Sequence, residues 1–228
     1  MPELGTVIVT GGASGLGAAV AKGVEREGGV PVVLDVNQPA NGFEWEPVDL
    51  AQGREAEQAV RRVADRHGGI AGAVTAAGID SCGRIEDVDP EQWDRVVAVN
   101  LIGTAAVARA CLPYLERSGG RIVTVASTLG LRALSDATAY CASKFGVIGF
   151  SRALAVETAG RVGVTCLIPG GMQTAFFDGR DDQYKPPPDV RLTPPEEVAD
   201  AVLFALARPA GTEVRELVVC QSTESSWP

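Results

Sequence analysis

Short apolar runs alternate with helical segments along almost the whole chain, and this alternation is the strongest constraint on its fold. Strands are predicted at residues 6–10, 30–35, 46–50, 70–77, 121–127, 162–168 and 217–220. Helices are predicted at residues 18–27, 54–66, 90–117, 138–157 and 196–207. Apolar strands that alternate with helices are typical of a parallel sheet covered on both faces. The sequence therefore predicts an α/β protein with a Rossmann-like, doubly wound parallel sheet of about seven strands.

A run of glycines marks the turn between the first strand and the first helix. Residues Thr10 to Gly17 contain four glycines and no Arg or Lys. Glycines let a backbone approach a pyrophosphate, which then lies at the positive end of the following helix. Roughly 20 residues later the second strand ends in Asp35, whose carboxylate accepts ribose hydroxyls and repels a 2′-phosphate. This pattern predicts binding of NAD rather than NADP.

A second group of polar residues follows the fifth predicted strand. Ser127 ends that strand, and Tyr140 and Lys144 lie near the start of the long helix at 138–157. Tyr140 and Lys144 are four residues apart, so they share one helix face. A phenol with a pKa of about 10 is a poor base at neutral pH, but a neighbouring ammonium and a positively charged nicotinamide favour the phenolate. The spacing therefore predicts Tyr140 as an acid/base that Lys144 tunes.

Charge and composition limit the partner classes. A net charge of −9 makes nucleic acid an unfavourable partner. No uninterrupted apolar run reaches the roughly 18 residues of a membrane span, and no basic signal region is present, so we expect a cytoplasmic location and no membrane partner. The five scattered cysteines are expected to be small buried side chains rather than disulfides. The single histidine, His67, is expected at a helix end, and no metal is predicted.

The length suits one domain over residues 1–228, with a core large enough to fold alone. The alternation breaks at about 170–195, where glycines and three consecutive prolines predict an irregular lid segment. In doubly wound sheets, ligands bind outside the carboxyl ends of the strands, where the strand order reverses. The strand ends are therefore the predicted site.

Taken together, these motifs resemble the short-chain dehydrogenase/reductase family over nearly the whole chain. The family's T-G-x-x-x-G-x-G turn corresponds to residues 10–17, its acidic strand end to Asp35, and its adenine-side aspartate to Asp49. Its strand-four turn corresponds to residues 75–78 and its helix asparagine to Asn100. Its serine, its Y-x-x-x-K pair and its P-G-x-x-x-T segment correspond to Ser127, to Tyr140 and Lys144, and to residues 169–174.

This resemblance implies a role for each matched residue. Tyr140 would be the general acid/base, Ser127 would hydrogen-bond the reacting oxygen, and Lys144 would hold the nicotinamide ribose. Asn100 would support a water-linked proton relay, and Met172 and Thr174 would contact the carboxamide of the nicotinamide. The residues implied to bind NAD are Gly11, Ser14, Gly15, Leu16, Gly17, Asp35, Asp49, Leu50, Ala76, Ala77, Gly78, Asn100, Tyr140, Lys144, Pro169, Gly170, Met172 and Thr174.

The leading hypothesis is an NAD-dependent oxidoreductase that moves a hydride between nicotinamide and a secondary alcohol or ketone. An apolar approach to Tyr140 is predicted from Leu131, Leu134, Ala137, Phe176 and Phe177. One alternative is a 3-oxoacyl-carrier-protein reductase, against which the negative net charge and Asp35 weigh. The other is a non-catalytic dinucleotide-binding sensor, whose signature would be a lost tyrosine or lysine.

Three features depart from the family pattern. Thr75 and Ala76 stand where the family often has two asparagines. The segment between Thr174 and Pro194 is short for a lid, which predicts an open pocket. The polar tail after Cys220 lacks the glycine pair that commonly ends the family's last strand, which puts the usual tetramer interface in doubt. We expect a homodimer through the two long helices or a homotetramer.

Overall fold

Seven strands form one parallel sheet in the computed structural model, which describes residues 4–209 and 211–227. They are β1 (Thr6–Thr10), β2 (Val30–Asp35), β3 (Glu44–Pro47), β4 (Gly72–Thr75), β5 (Arg121–Val125), β6 (Gly163–Pro169) and β7 (Glu216–Val219). Their spatial order is β3-β2-β1-β4-β5-β6-β7. The order reverses between β1 and β4, where doubly wound sheets bind ligands. This topology confirms the predicted Rossmann-like fold.

In the described residues, six α-helices cover the two faces of the sheet. They are α1 (Gly15–Arg26), α2 (Gly53–His67), α3 (Pro90–Val97), α4 (Thr104–Ser118), α5 (Thr138–Glu157) and α6 (Pro195–Leu206). Successive side chains of a strand point to opposite faces. Accordingly, Val7 and Val9 of β1 pack in the cluster built by α1 and α6, whereas Ile8 packs in the cluster that includes α2 and α4.

The helix predicted at residues 90–117 is confirmed as one helical run, Pro90–Ser118, but its middle is not α-helical. A six-residue π-helical segment, Ala98–Gly103, separates α3 from α4. This segment approaches the loop after β3 closely, since a Cβ on Gly103 would lie 2.8 Å from the carbonyl oxygen of Leu50. Periodicity of 3.6 residues does not reveal such a wider turn, which often marks a functional site.

The third strand was predicted too late in the chain. It spans Glu44–Pro47, and the buried Val48 and Leu50 follow it. Two ion pairs hold this polar strand to α2, because Glu46 lies 2.6 Å from Arg62 Nε and 2.8 Å from Arg66 Nη1. An apolar pattern therefore could not locate it.

The cysteines and the histidine lie largely as expected. All five cysteines are free; Cys111, Cys141 and Cys166 are buried, whereas Cys82 and Cys220 are only partly buried. His67 ends α2, and its Nε2 lies 2.9 Å from Glu44 Oε2.

The stretch Pro90–Ser118 is long and apolar enough to cross a membrane by length and composition alone. In the structure, 56% of its most apolar window is buried inside the protein, as in the core helix of a folded domain.

Candidate active site

A cavity of about 870 Å³ lies at the carboxyl ends of the strands. Its walls come from the turn after β1, the end of β2, the loops after β4, β5 and β6, and the start of α5. Its volume lies within the range of about 300–1,000 Å³ that is typical of small-molecule sites. The cavity spans the point where the strand order reverses, as the sequence predicted.

The glycine-rich turn after β1 has no room for side chains. A Cβ on Gly17 would lie 2.3 Å from the carbonyl oxygen of Gly11, and one on Gly12 would lie 2.7 Å from the Val33 side chain. Gly11 and Gly15 also have positive φ angles of 69° and 52°, which favour glycine. The turn therefore brings bare backbone and the N-terminus of α1 to the cavity, a combination that suits a pyrophosphate.

The first helix begins three residues earlier than predicted. It starts at Gly15 instead of residue 18, because the amide of Ala18 already donates to the carbonyl of Ser14 at 3.1 Å. Glycines have low helix propensity, which hid this start from the sequence pattern. Ser14 makes no side-chain capping bond and lines the cavity.

Asp35 ends β2 at the cavity wall. Its Oδ2 accepts a hydrogen bond from the amide of Ala13 at 3.1 Å, and its Oδ1 accepts one from Asn37 at 2.9 Å. Two arginines that could have offset its charge are engaged elsewhere: Arg54 pairs with the buried Glu57, and Arg26 pairs with Asp200. Each Asp35 oxygen keeps a free lone pair, so the carboxylate can still accept ribose hydroxyls.

Asp49 lines the same end of the cavity and is paired with an arginine that the sequence analysis missed. Arg95 Nη1 lies 3.0 Å from Asp49 Oδ2, and both residues line the cavity. Burial acts to raise the pKa of Asp49, but hydrogen bonds from the Ala51 amide and from Arg95 outweigh it and lower that pKa. The carboxylate is therefore charged at neutral pH.

Tyr140 and Ser127 face each other across the cavity floor. Burial raises the pKa of Tyr140 to about 12, and the neighbouring Ser127 side chain acts in the opposite direction. Ser127 is buried and also accepts a hydrogen bond from the amide of Leu129 at 3.1 Å. Ser127 is thereby held in place beside the phenol.

Lys144 lies one helical turn after Tyr140 and is almost completely buried. Its Nζ donates a hydrogen bond to the carbonyl of Val125 at 2.9 Å and lies 5.5 Å from the centre of the Tyr140 ring. Burial lowers the pKa of Lys144 to about 8. The ammonium is therefore close to the phenol and only weakly stabilised in its charged form.

Asn100 lies behind the cavity wall rather than on it. The side chain is 1% exposed, its Oδ1 accepts from the amide of Ile79 at 2.8 Å, and its Nδ2 donates to the Ile79 carbonyl at 2.9 Å. The same Nδ2 donates to Ser143 Oγ at 3.0 Å. Asn100 thus fastens the loop after β4 to α5, which positions Tyr140 and Lys144.

The segment after β6 is clasped by the C-terminal tail. Glu224 Oε2 accepts a hydrogen bond from the amide of Gly171 at 2.9 Å, and Glu224 lines the cavity. Ser226 Oγ lies 2.7 Å from Thr128 Oγ1, next to Ser127. The sequence analysis described this tail only as polar, because a short Ser- and Thr-rich end carries no periodic pattern that predicts a contact.

The segment predicted as a lid contributes one wall of the cavity, and whether it leaves the pocket open stays a prediction. Its base is closed by backbone bonds of 2.8 Å from Gln173 to Thr193 and of 2.9 Å from Thr193 to Gly171. Leu134, Ala137, Phe176 and Phe177 line the cavity as predicted. Leu131 does not; it packs instead in the core cluster beside Val147 and Ile148.

All predicted site residues except Asn100 lie on the wall of this one cavity. They are Gly11, Ser14, Gly15, Leu16, Gly17, Asp35, Asp49, Leu50, Ala76, Ala77, Gly78, Ser127, Tyr140, Lys144, Pro169, Gly170, Met172 and Thr174. The sequence analysis missed Asp80, Arg95, Arg180 and Glu224, which also line it. Isolated charged residues in loops carry no spacing signal, so only the tertiary structure identifies them.

Comparisons with known proteins agree with this architecture. The family model described as short chain dehydrogenase matches residues 5–185. The chain is 31% identical to 2-(S)-hydroxypropyl-CoM dehydrogenase 3 of Xanthobacter autotrophicus, over 88% of this chain and 89% of the relative. It is 34% identical to D-beta-hydroxybutyrate dehydrogenase of Cupriavidus necator, over 74% of this chain and 71% of the relative.

Comparison with a solved structure also agrees with this architecture. The chain superposes on 3-ketoacyl-(acyl-carrier-protein) reductase from Brucella melitensis, complexed with NADH, with a TM-score of 0.86. The sequence identity is 26%, and the match covers 96% of this chain and 98% of that chain. The likeness therefore extends over the entire sheet and its helices.

Proposed function

This chain belongs to the short-chain dehydrogenase family and is an oxidoreductase, and we propose that it transfers a hydride between NAD and a secondary alcohol or ketone. Tyr140 is the general acid/base of this reaction. The observation that carries the proposal is the Tyr140 side chain next to Ser127 and Lys144, on the wall of a cavity that begins at a glycine-rich turn.

The cavity suits a dinucleotide at both of its ends. The turn packs so tightly at Gly11, Gly12 and Gly17 that only bare backbone fits there, and the N-terminus of α1 stabilises phosphate charge. Asp35 offers a carboxylate to ribose hydroxyls, and it would repel the extra phosphate of NADP. This charge supports NAD as the preferred cofactor.

The side chains around Tyr140 control the transfer of one proton. When bound, the cofactor supplies or accepts the hydride at its nicotinamide ring. A phenol with a pKa of about 12 keeps its proton at neutral pH, so Tyr140 can donate it to the oxygen of a ketone that is being reduced. Ser127 donates a hydrogen bond to the same oxygen. In the oxidation direction the phenolate form of Tyr140, which the Lys144 ammonium stabilises, takes the proton from the alcohol.

The test is a panel of secondary alcohols and ketones with each of NAD(H) and NADP(H), followed by the absorbance of the reduced nicotinamide. Tyr140→Phe is expected to lower kcat at least about 100-fold, because it removes the proton that is transferred. NADH binding, measured by fluorescence, should change little. Tyr114→Phe, on α4 and away from the cavity, is the matched control. Turnover by Tyr140→Phe at the parental rate would show that another group is the acid/base.

A second candidate is reduction of a 3-oxoacyl thioester, which the structural relative from Brucella melitensis favours. The net charge of −9 disfavours docking of an acidic carrier protein. Comparison of an acetoacetyl thioester with simple ketones, with both reduced cofactors, distinguishes the two activities. A cytoplasmic location and a homodimer or homotetramer stay predictions.

A further inference from the structure

Arg180 lies in the lid segment. Its side chain forms part of the cavity wall and is only 15% exposed. Two aromatic rings hold its guanidinium: the carbon Cζ lies 4.6 Å from the Phe176 ring centre and 4.8 Å from that of Phe177. Rings supply no strong hydrogen-bond acceptor, so they orient the guanidinium without satisfying its donors. Phe176 also lies 5.6 Å from the Tyr140 ring. Arg180 is therefore one aromatic ring away from the proposed acid/base.

Asp80 pairs with the charge of Arg180 but does not satisfy all of the hydrogen-bond donors of its guanidinium. Its Oδ2 lies 3.1 Å from Arg180 Nη2, which balances the buried charge. Within residues 4–209 and 211–227, however, this buried Nη2 finds no acceptor in hydrogen-bonding geometry. Asp80 also accepts hydrogen bonds from the Ser81 amide at Oδ1 and from Cys82 Sγ at Oδ2. A purely structural arginine at this depth would have its donors satisfied.

We propose that Arg180 binds an anionic group of the substrate, a carboxylate or sulfonate, and so selects alcohols and ketones that carry a negative charge. The planar guanidinium matches such an anion with two parallel hydrogen bonds. Phe176 and Phe177 keep the guanidinium in a fixed orientation and exclude water, which strengthens a charge-assisted bond. Asp80 holds Arg180 from the side and prevents it from turning out to solvent. This inference rests on the proposed function, since it defines the substrate class of the same site.

The test compares keto acids with their neutral methyl esters. Pyruvate, acetoacetate and levulinate place the carboxylate progressively farther from the ketone, and each is measured with NADH beside its ester. We expect the wild-type kcat/KM to be higher for at least one acid than for its ester. Arg180→Met keeps an unbranched side chain and removes the charged guanidinium. It should lower kcat/KM for that acid about 10- to 100-fold more than for its ester.

Two further variants separate recognition from folding. Arg180→Lys keeps the charge without the planar fork and should restore part of the preference for the acid. Arg191→Met removes an exposed arginine from the same segment, outside the cavity wall, and should behave as wild type. If the wild type reduces these ketones, equal losses for acid and ester in Arg180→Met, or no preference for any acid in the wild type, would overturn the proposal.

A binding measurement distinguishes failure of the anion site from failure of the proposed function. Levulinate is titrated calorimetrically into the enzyme saturated with NADH. Binding to the wild type that is lost in Arg180→Met supports the anion site even if none of the ketones is reduced, in which case only the proposed function fails. Ketones that are reduced with no preference for the acid, together with levulinate that does not bind, would reject the anion site and leave the proposed function standing.

Discussion

Tyr140 and Lys144 illustrate how burial acts oppositely on an acid and on a base. It raises the pKa of the phenol to about 12 and lowers the pKa of the ammonium to about 8, because both shifts disfavour the charged form. The sequence analysis predicted that the lysine would lower the tyrosine pKa. In the cofactor-free protein burial is the largest influence on that pKa, so the effect of Lys144 on the phenol stays a prediction for the complex.

The pKa of Lys144 leads to a stability prediction. Between pH 8 and 10.5 the unfolded lysine binds a proton and the folded one does not, so the free energy of unfolding should rise with pH in this window. The rise is at most about 1.4 kcal/mol per pH unit. Lys144→Met should abolish it, and the exposed Lys22→Met should not. The measurement is urea unfolding at pH 7.5, 9 and 10; parallel curves for wild type and Lys144→Met would contradict it.

Asp35 permits a prediction about cofactor choice. Asp35→Asn keeps an acceptor for the Ala13 amide but removes the negative charge that repels a 2′-phosphate. We expect the ratio of kcat/KM for NADPH to that for NADH to rise about 10-fold or more, because like charges in contact cost several kcal/mol. The exposed Asp65→Asn on α2 is the control. An unchanged ratio would mean that another residue selects the cofactor.

At the scale of elements, the turn from β1 into α1 and the π-helical segment do most to shape the cavity. The turn exposes backbone because its glycines lie against Val33 and against each other. The π-helical segment turns Asn100 inward, where it fastens the loop after β4 to α5. One element forms the predicted phosphate site, and the other aligns the helix that carries Tyr140.

Gly17→Ala tests the turn. The added Cβ would lie 2.3 Å from the Gly11 carbonyl oxygen, so the turn must open and its amides move away from the phosphate position. We expect the Kd for NADH, from its fluorescence, to rise at least about 10-fold, as for the loss of one charge-assisted hydrogen bond. Gly149→Ala on α5 is the control, since a Cβ there meets nothing within 4 Å. Circular dichroism verifies that both variants are folded; NADH affinity equal to wild type in Gly17→Ala would contradict the prediction.

At the scale of the whole molecule, residues distant in the chain close the cavity together. The lid after β6, the tail after β7 and the loop after β5 meet around Gly171, Glu224 and Thr128. Phe145 and Val156 on α5 are exposed, and a dimer through the long helices stays a prediction.

The contact of the tail is testable through Glu224. Burial acts to raise its pKa, but hydrogen bonds from Ser226 and Gly171 outweigh it and lower that pKa. A lowered pKa means that the charged carboxylate stabilises the fold above its unfolded pKa, near 4.5, and that this contribution is lost as pH falls through the folded value. Glu224→Gln should therefore reduce the free energy of unfolding at pH 7 by about 1 kcal/mol or less.

The difference in the free energy of unfolding between the wild type and Glu224→Gln should shrink at pH 4, where the Glu224 carboxyl of the wild type begins to take up its proton. Chemical denaturation at the two pH values measures it, with the exposed Glu25→Gln on α1 as control. A difference that is larger at pH 4 than at pH 7 would contradict the assigned contact.

The sequence by itself determined the alternation of strands and helices, the glycine turn, and the residues of the Tyr140 motif. These features are local, because hydrophobic period, backbone space at glycine and the i, i+4 spacing of a helix do not depend on the rest of the fold. Only the tertiary structure decided the position of β3, the π-helical turn at Asn100, the clasp by Glu224 and the burial of Arg180 beside Asp80. Each of these depends on ion pairs or hydrogen bonds between residues far apart in the chain, and such contacts leave no periodic trace in the sequence.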